Sequence, residues 1–179
     1  MPCPRAELRR WQVDDIDAVA RAIKESHDHL AAWSTLAMGD PHEVASELVT
    51  TAVREWQRGE SYKYAITVDG LVVGGGGLMR RIGPGGLEAG YWLHGDWTGK
   101  GLVTEAVGAL VAAGSALDGI DRIEIRHDAA NAASAAVPRR LGFTEVGRGP
   151  APEGQRPRMP GESGTVVVWR KTCGPSATA

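Results

Sequence analysis

Between Gly90 and Ala106 the chain reads Gly-Tyr-Trp-Leu-His-Gly-Asp-Trp-Thr-Gly-Lys-Gly-Leu-Val-Thr-Glu-Ala, the pattern of a strand, a glycine-bearing turn and a helix start. Backbone N–H groups at such a turn point outward, and the helix N-terminus adds about half a positive charge. Together they suit a pyrophosphate that needs no metal and one basic side chain, Lys100. Gly99 and Gly101 carry no Cβ to hold phosphate oxygens off the backbone. A plain helix-entry turn would explain two glycines equally well. Two other phosphate patterns fail. Lys100 is followed by Gly101, so no GxxxxGK[ST] run exists. A dinucleotide GxGxxG would need glycine at position 104, which is Thr104, and the three strands before it read as hairpins.

The turn resembles the acetyl-CoA motif of the GNAT N-acetyltransferase superfamily, Arg/Gln-x-x-Gly-x-Gly/Ala. Here Asp96-Trp97-Thr98-Gly99-Lys100-Gly101 departs at the first position. The flanks, Gly90-Tyr91-Trp92-Leu93 and Gly101 to Ala106, are similar to the RimJ/RimL-like branch, which acetylates protein N-termini. Downstream, Asn131 to Phe143 matches that branch's Asn-x-x-Ser…Leu-Gly-Phe signature. The resemblance covers about Leu8 to Lys171. It implies a GNAT fold: one α/β (α+β) domain, with a mixed, mostly antiparallel sheet of about six or seven strands flanked by helices. It implies acetyl-CoA as cosubstrate, an amine acceptor, no metal, and a cytoplasmic enzyme, and it allows a homodimer. The pantetheine arm would lie beside Tyr91, Trp92 and Leu93, and the pyrophosphate on the amides of Thr98, Gly99, Lys100, Gly101, Leu102 and Val103. Asp96 removes a side-chain salt bridge there but leaves the backbone cradle intact.

The implied reaction is attack of a neutral amine on a thioester carbonyl, the oxyanion being met by an N–H near Leu93. A lysine amine, with a pKa near 10.4, is mostly protonated at neutral pH, and an α-amine near 8 less so, so a proton acceptor is needed. Glu88, two and four residues before Gly90 and Trp92, is the expected base and faces the acceptor if the pleat is regular. An outward-facing strand carboxylate is the competing account. Glu105 sits one turn into its helix, where an acid simply favours the dipole. Ser134 is the expected acid or thiol-orienting hydroxyl, because many GNAT enzymes use a tyrosine seven residues after the Asn and that position here is Pro138. Asn131 can cap the helix and bond the pantetheine amide. Arg139, with Arg140 beside it, is the expected partner of the cofactor 3′-phosphate, unless the pair is merely solvated. On the acceptor side the resemblance points to 27–39 and 149–164, with His29 facing substrate and Trp33 walling a pocket or fixing the loop. Arg148, Arg156 and Arg158 suit an acidic acceptor or a solvated loop. His27 and His29 lack a zinc-helix spacing. The leading expectation is acetylation of a protein N-terminus. The alternatives are a small amine (aminoglycoside, polyamine or amino-acid derivative), a larger donor such as succinyl-CoA, and a non-catalytic CoA-binding regulatory domain.

The elements that must hold these residues follow from pattern. Glu7 to Trp11 reads as a strand. Asp14 is placed to cap a helix carrying Ile16, Val19, Ala20 and Ile23 on one face. His27 to Gly39 breaks that pattern. Asp40-Pro41 starts a second helix that runs to Gly59. Tyr62–Val68 and Leu71–Met79 flank Asp69-Gly70, a strong hairpin signal. A strand over 87–93, a helix carrying Val103 to Leu117, a strand over 122–127, a helix over 132–141 and strands over 143–147 and 165–169 complete the order β-α-α-β-β-β-α-β-α-β-β.

Composition narrows the classes. The 179 residues fit one domain, read as 5–172 with a fraying tail over 173–179; 42% hydrophobic and 23% charged residues exclude wholesale disorder. The 24 glycines have no three-residue period, which excludes collagen. A net charge of −2 argues against nucleic-acid binding through bulk positive charge, and no apolar run is long enough to cross a membrane. Met1 to Arg5 leads into a charged segment without a signal-peptide core. Cys3 and Cys173, near opposite ends and without CxxC spacing, fit a reducing compartment.

Overall fold

Asp69 and Gly70 both take positive φ, 49° and 78°, the geometry of a type I′ turn whose twist matches the flanking strands. They fold β2 (Ser61–Val68) onto β3 (Leu71–Met79), with Val68 opposite Leu71. This computed structural model describes residues 5–152, 154 and 156–174, so Cys3 and residues 175–179 lie outside the described residues. β1 (Glu7–Arg10) adds to the free edge of β2, and β4 (Gly86–Leu93) to that of β3. β5 (Arg122–Asp128), β7 (Thr165–Thr172) and β6 (Thr144–Pro150) complete one seven-stranded sheet in the order β1-β2-β3-β4-β5-β7-β6. Only β4 and β5 are parallel, so the sheet is mixed and mostly antiparallel, in a single domain.

Helices cover both faces. α1 (Ile16–Glu25), α2 (His27–Ala31) and α3 (Pro41–Arg58) lie on one side. Val19 and Ile23 of α1 pack with Val49 of α3 against Trp11 and Ala65. Asp40 Oδ1 accepts from the His42 and Glu43 amides, Pro41 takes the first helical position, and Gly59 at φ 68° ends α3. α4 (Leu102–Ser115) and α5 (Ala132–Arg140) cover the other side. There Val107 and Leu110 bury against Leu78, Leu87, Ile123 and Ile125. Each such side chain contributes on the order of 2 kcal/mol.

Three local expectations change. Asp14 does not cap α1. Val13–Asp15 forms a 3-10 turn first, and the buried acid is Asp15, whose Oδ1 and Oδ2 take Arg9 Nη2 and Nη1 at 2.7 and 3.0 Å. A paired, buried carboxylate outweighs an exposed cap. The 27–39 stretch holds the short helix α2 and a 3-10 turn over Thr35–Ala37. The sixth strand extends to Pro150, with a bulge at Val146. At the other terminus Cys173 is buried and its amide donates to Asp121 O at 2.8 Å, so the chain stays packed just past β7.

The glycine run of β3 clears space for two indoles. A Cβ on Gly75 would lie 2.7 Å from Trp92 Nε1 and 2.9 Å from Trp11 Cζ2.

Candidate active site

β4 and β5 pair only from Gly86–Ala89 with Arg122–Ile125. Beyond Ala89, β4 stays bonded to β3 as far as Leu93 and β5 stays bonded to β7 as far as Asp128. The two strands therefore diverge, and the sheet opens into a cavity of about 340 Å³. Tyr91, Trp92 and Leu93 line it from β4, with a strand edge unpaired towards β5 that can bond an extended ligand.

One end of the cavity is the glycine turn. Thr98, Gly99, Gly101, Leu102 and Val103 line it, and Lys100 stands between the glycines with Nζ 4.5 Å above the Trp97 ring. Gly99 and Gly101 have φ of 73° and 80°, so their first requirement is conformational. A Cβ at either would meet nothing within 4 Å, so the space over the turn is open. Gly101 is the N-cap of α4 and supplies no capping side chain. The first-turn amides of a 14-residue helix thus remain for an anion. His94 shapes the approach. Its Nδ1 accepts from the Asp96 amide at 3.2 Å, which leaves Nε2–H to donate to Glu25 at 3.3 Å. Ser26 Oγ accepts from the Gly95 amide at 2.9 Å, tying α1 to the turn. Asp96, at the motif's divergent position, contributes its backbone here and its carboxylate is exposed.

Across the cavity, Asn131 Oδ1 accepts from the Ser134 amide at 2.9 Å and caps α5. Tyr91 Oη donates to Ser134 O at 3.1 Å and lies 3.1 Å from Ser134 Oγ. Burial pushes the Tyr91 phenol up to about 12, against the pull of its bond to Ser134. Arg140 lines the cavity, whereas the Arg139 guanidinium lies 5.5 Å over the Trp169 ring.

The remaining wall comes from α2, the segment after it, and the 151–164 loop. His29 and Trp33 line the cavity, as do Arg156 and Glu162, which are ion-paired. Arg148 pairs with Glu145, and Arg158 donates to Glu162 O. Gly161 N donates to Ala32 O at 3.0 Å, joining the loop to the α2 segment. Asp128, at the end of β5, anchors the other side of the loop. Its carboxylate accepts from Ala130 N, Ser163 N, Ser163 Oγ and Gly164 N at 2.8 to 2.9 Å. Burial alone would raise this carboxyl, but the four donors outweigh it and hold it at about 2.

Glu88 is not among the residues lining the cavity. It lies in the closed part of the β4–β5 pair, opposite Glu124, and its carboxylate is taken by Arg81 with Arg126 Nε at 3.9 Å. Arg126 and Arg170 also bind Glu124, holding that carboxyl low although burial alone would raise it. Both carboxylates thus serve an arginine-covered sheet face. His127 is also committed: Trp169 Nε1 donates to Nε2 at 2.9 Å, so Nδ1–H donates to Asp128 O at 2.7 Å. Sequence reasoning missed Asp128, His94 and Tyr91 as organisers. The Asp128–Ala130 and His94–Asp96 bonds are local, whereas the Tyr91–Ser134 and Asp128–Ser163 contacts join distant parts of the chain.

Among the described residues no group of three or more His, Cys, Asp or Glu side chains could hold a metal ion. Nor is any helix among them long and apolar enough to cross a membrane.

Known proteins share this fold. The chain is 27% identical over 151 residues, 79% of each chain, to the Bacillus subtilis (strain 168) protein named "Putative ribosomal N-acetyltransferase YdaF". Its fold superimposes on a RimL ribosomal L7/L12 alpha-N-protein acetyltransferase in complex with coenzyme A, at a TM-score of 0.81, 22% identity and coverage of 99% and 98% of the two chains. It also superimposes on the microcin C7 self-immunity acetyltransferase MccE in complex with acetyl-CoA and AMP, at a TM-score of 0.80, 19% identity and coverage of 96% and 97%. The family model described as the acetyltransferase (GNAT) domain matches residues 5–144, and the chain is a member of that family, a GNAT N-acetyltransferase.

Proposed function

We propose that the protein transfers acetyl from acetyl-CoA to a protein or peptide N-terminal α-amine, within a ternary complex. The observation that carries this reading is the divergence of β4 and β5 into a cavity with an uncapped, glycine-led helix start at one end. The diphosphate would sit on the amides from Thr98 to Val103, and the pantetheine arm along the open edge of Tyr91–Leu93. Asn131 and Ser134 would face it from α5, with Arg140 near the 3′-phosphate.

The amine lone pair attacks the thioester carbonyl carbon, and the N–H groups near Leu93 meet the oxyanion. As the tetrahedral species collapses, the C–S bond breaks and its electron pair goes to sulfur. Ser134 Oγ–H gives the thiolate its proton. The proton lost by the amine passes to water in the open cavity and returns to Ser134. Glu88 is left out of these steps because its carboxylate is engaged by Arg81 outside the cavity.

The name of the RimL neighbour, an alpha-N-protein acetyltransferase, supports an N-terminal acceptor over a small amine, and the ribosomal N-acetyltransferase name of YdaF supports a protein acceptor. The test is thiol release from acetyl-CoA and succinyl-CoA against N-terminal peptides, their N-blocked lysine-bearing counterparts and small amines. The reading expects acetyl-CoA with free N-terminal peptides to give the highest kcat/KM. A preference for small amines or blocked peptides would overturn the acceptor. Light scattering of the same sample decides between a monomer and the homodimer.

A further inference from the structure

We propose that Tyr91 is a positioning residue for acyl transfer, held in place by a carbonyl that Pro138 leaves open; the inference rests on the role given to Ser134 above. In an uninterrupted helix the N–H of residue 138 would bond the carbonyl of residue 134, one turn earlier. Pro138 lies inside α5 and has no N–H to give. A carbonyl left without a donor in a partly buried place costs free energy. Tyr91 Oη, reaching from β4, donates to it at 3.1 Å.

The same phenol oxygen stands 3.1 Å from Ser134 Oγ. The phenol has one proton and the carbonyl can only accept, so that proton goes to the carbonyl. The Ser134 hydroxyl proton then points to the phenol oxygen. A serine within a helix otherwise turns its hydroxyl back to a carbonyl of its own preceding turn. Tyr91 draws it off the helix, towards the cavity that both residues line. From there the hydroxyl swings its proton to a thiolate while the phenol stays bonded to the carbonyl. Tyr91 keeps its own proton throughout, consistent with a phenol that burial pushes up to about 12.

The experiment measures steady-state acetyl transfer by the full chain, with acetyl-CoA and a free N-terminal peptide. It compares wild type, Ser134→Ala, Tyr91→Phe, Pro138→Ala and the Tyr91→Phe/Pro138→Ala double variant, each with its thermal midpoint. Tyr91→Phe lowers kcat about tenfold, the size of one lost hydrogen bond, with KM for acetyl-CoA within about twofold. Pro138→Ala supplies the missing N–H, which takes the Ser134 carbonyl from Tyr91. Its kcat falls by a similar factor although its thermal midpoint does not fall. The double variant is no slower than the worse single. A purely structural proline would leave kcat of Pro138→Ala at the wild-type value, and that result overturns the proposal, as does a multiplicative loss in the double variant. Should Tyr91→Phe fail to fold, Pro138→Ala decides alone. An idle wild type, or Ser134→Ala at wild-type kcat, removes the role of Ser134 and this inference with it. An impaired Ser134→Ala beside an unimpaired Pro138→Ala removes the inference only.

Discussion

At the scale of single residues, the proposed diphosphate site would be made of amides, and two glycines give those amides their direction. Gly101 sits at φ 80° with open space where a side chain would project. Gly101→Val therefore combines left-handed strain of about 1 to 2 kcal/mol with a branched group in the path of a phosphate. Calorimetry should show acetyl-CoA affinity reduced at least about tenfold, with the folded state retained by circular dichroism. Unchanged affinity would move the diphosphate elsewhere. Glu88 stands apart from the cavity, because Arg81 from the β3–β4 connection and Arg126 from β5 approach its carboxylate. Glu88→Gln should change kcat by less than about threefold and leave the basic limb of the pH–rate profile in place. A loss of a hundredfold or a shifted limb would restore it as the base.

At the scale of elements, β3 shows how a featureless stretch can be the most constrained. Its glycines let Trp92 and Trp11 lie across the strand, so Gly75→Val overpacks the site by about 1 to 3 kcal/mol or more. A lower thermal midpoint and a shifted tryptophan emission would report it; wild-type values of both would mean that the indoles are free to move. Nothing in the run Gly74–Gly77 announces those indoles, because their partners come from other parts of the chain. What the sequence did make legible was local: the Asp40 cap and Gly59 stop of α3, the Asp69-Gly70 turn and the Asn131 cap. The glycine turn before α4 was legible for the same reason. α2 was not, since its five residues, His27 to Ala31, are mostly polar and too few to show a period. Asp15 carries no local signal of its role, because its decisive partner, Arg9, belongs to a strand. The arginines around Glu88 and the Tyr91–Ser134 contact across 43 residues are likewise products of topology.

At the scale of the molecule, the cavity joins two kinds of wall. The wall proposed to meet the acceptor depends on a loop fastened to β5 by Asp128 and to the α2 segment by the Gly161–Ala32 bond. Because the folded Asp128 carboxyl lies near 2, below its ordinary 3.8, the unfolded chain binds the proton more readily. The latch contributes about 2 kcal/mol above pH 4, and this is lost as pH falls through 2. Asp128→Asn should cost a similar amount at pH 7 and flatten the acid limb of the stability profile. It should also speed hydrogen exchange at the Ser163 and Gly164 amides; equal exchange would show that the loop is held by other means. The proposed diphosphate cradle has no such dependence on side chains. It would be main-chain, so sequence drift could reach it chiefly through two glycines, while the exposed positions of the loop are freer to vary. On the proposed reading, selection could retune which amine is modified while the diphosphate cradle is inherited intact, and an engineer changing specificity would mutate the loop and α2 and leave the head of α4 alone.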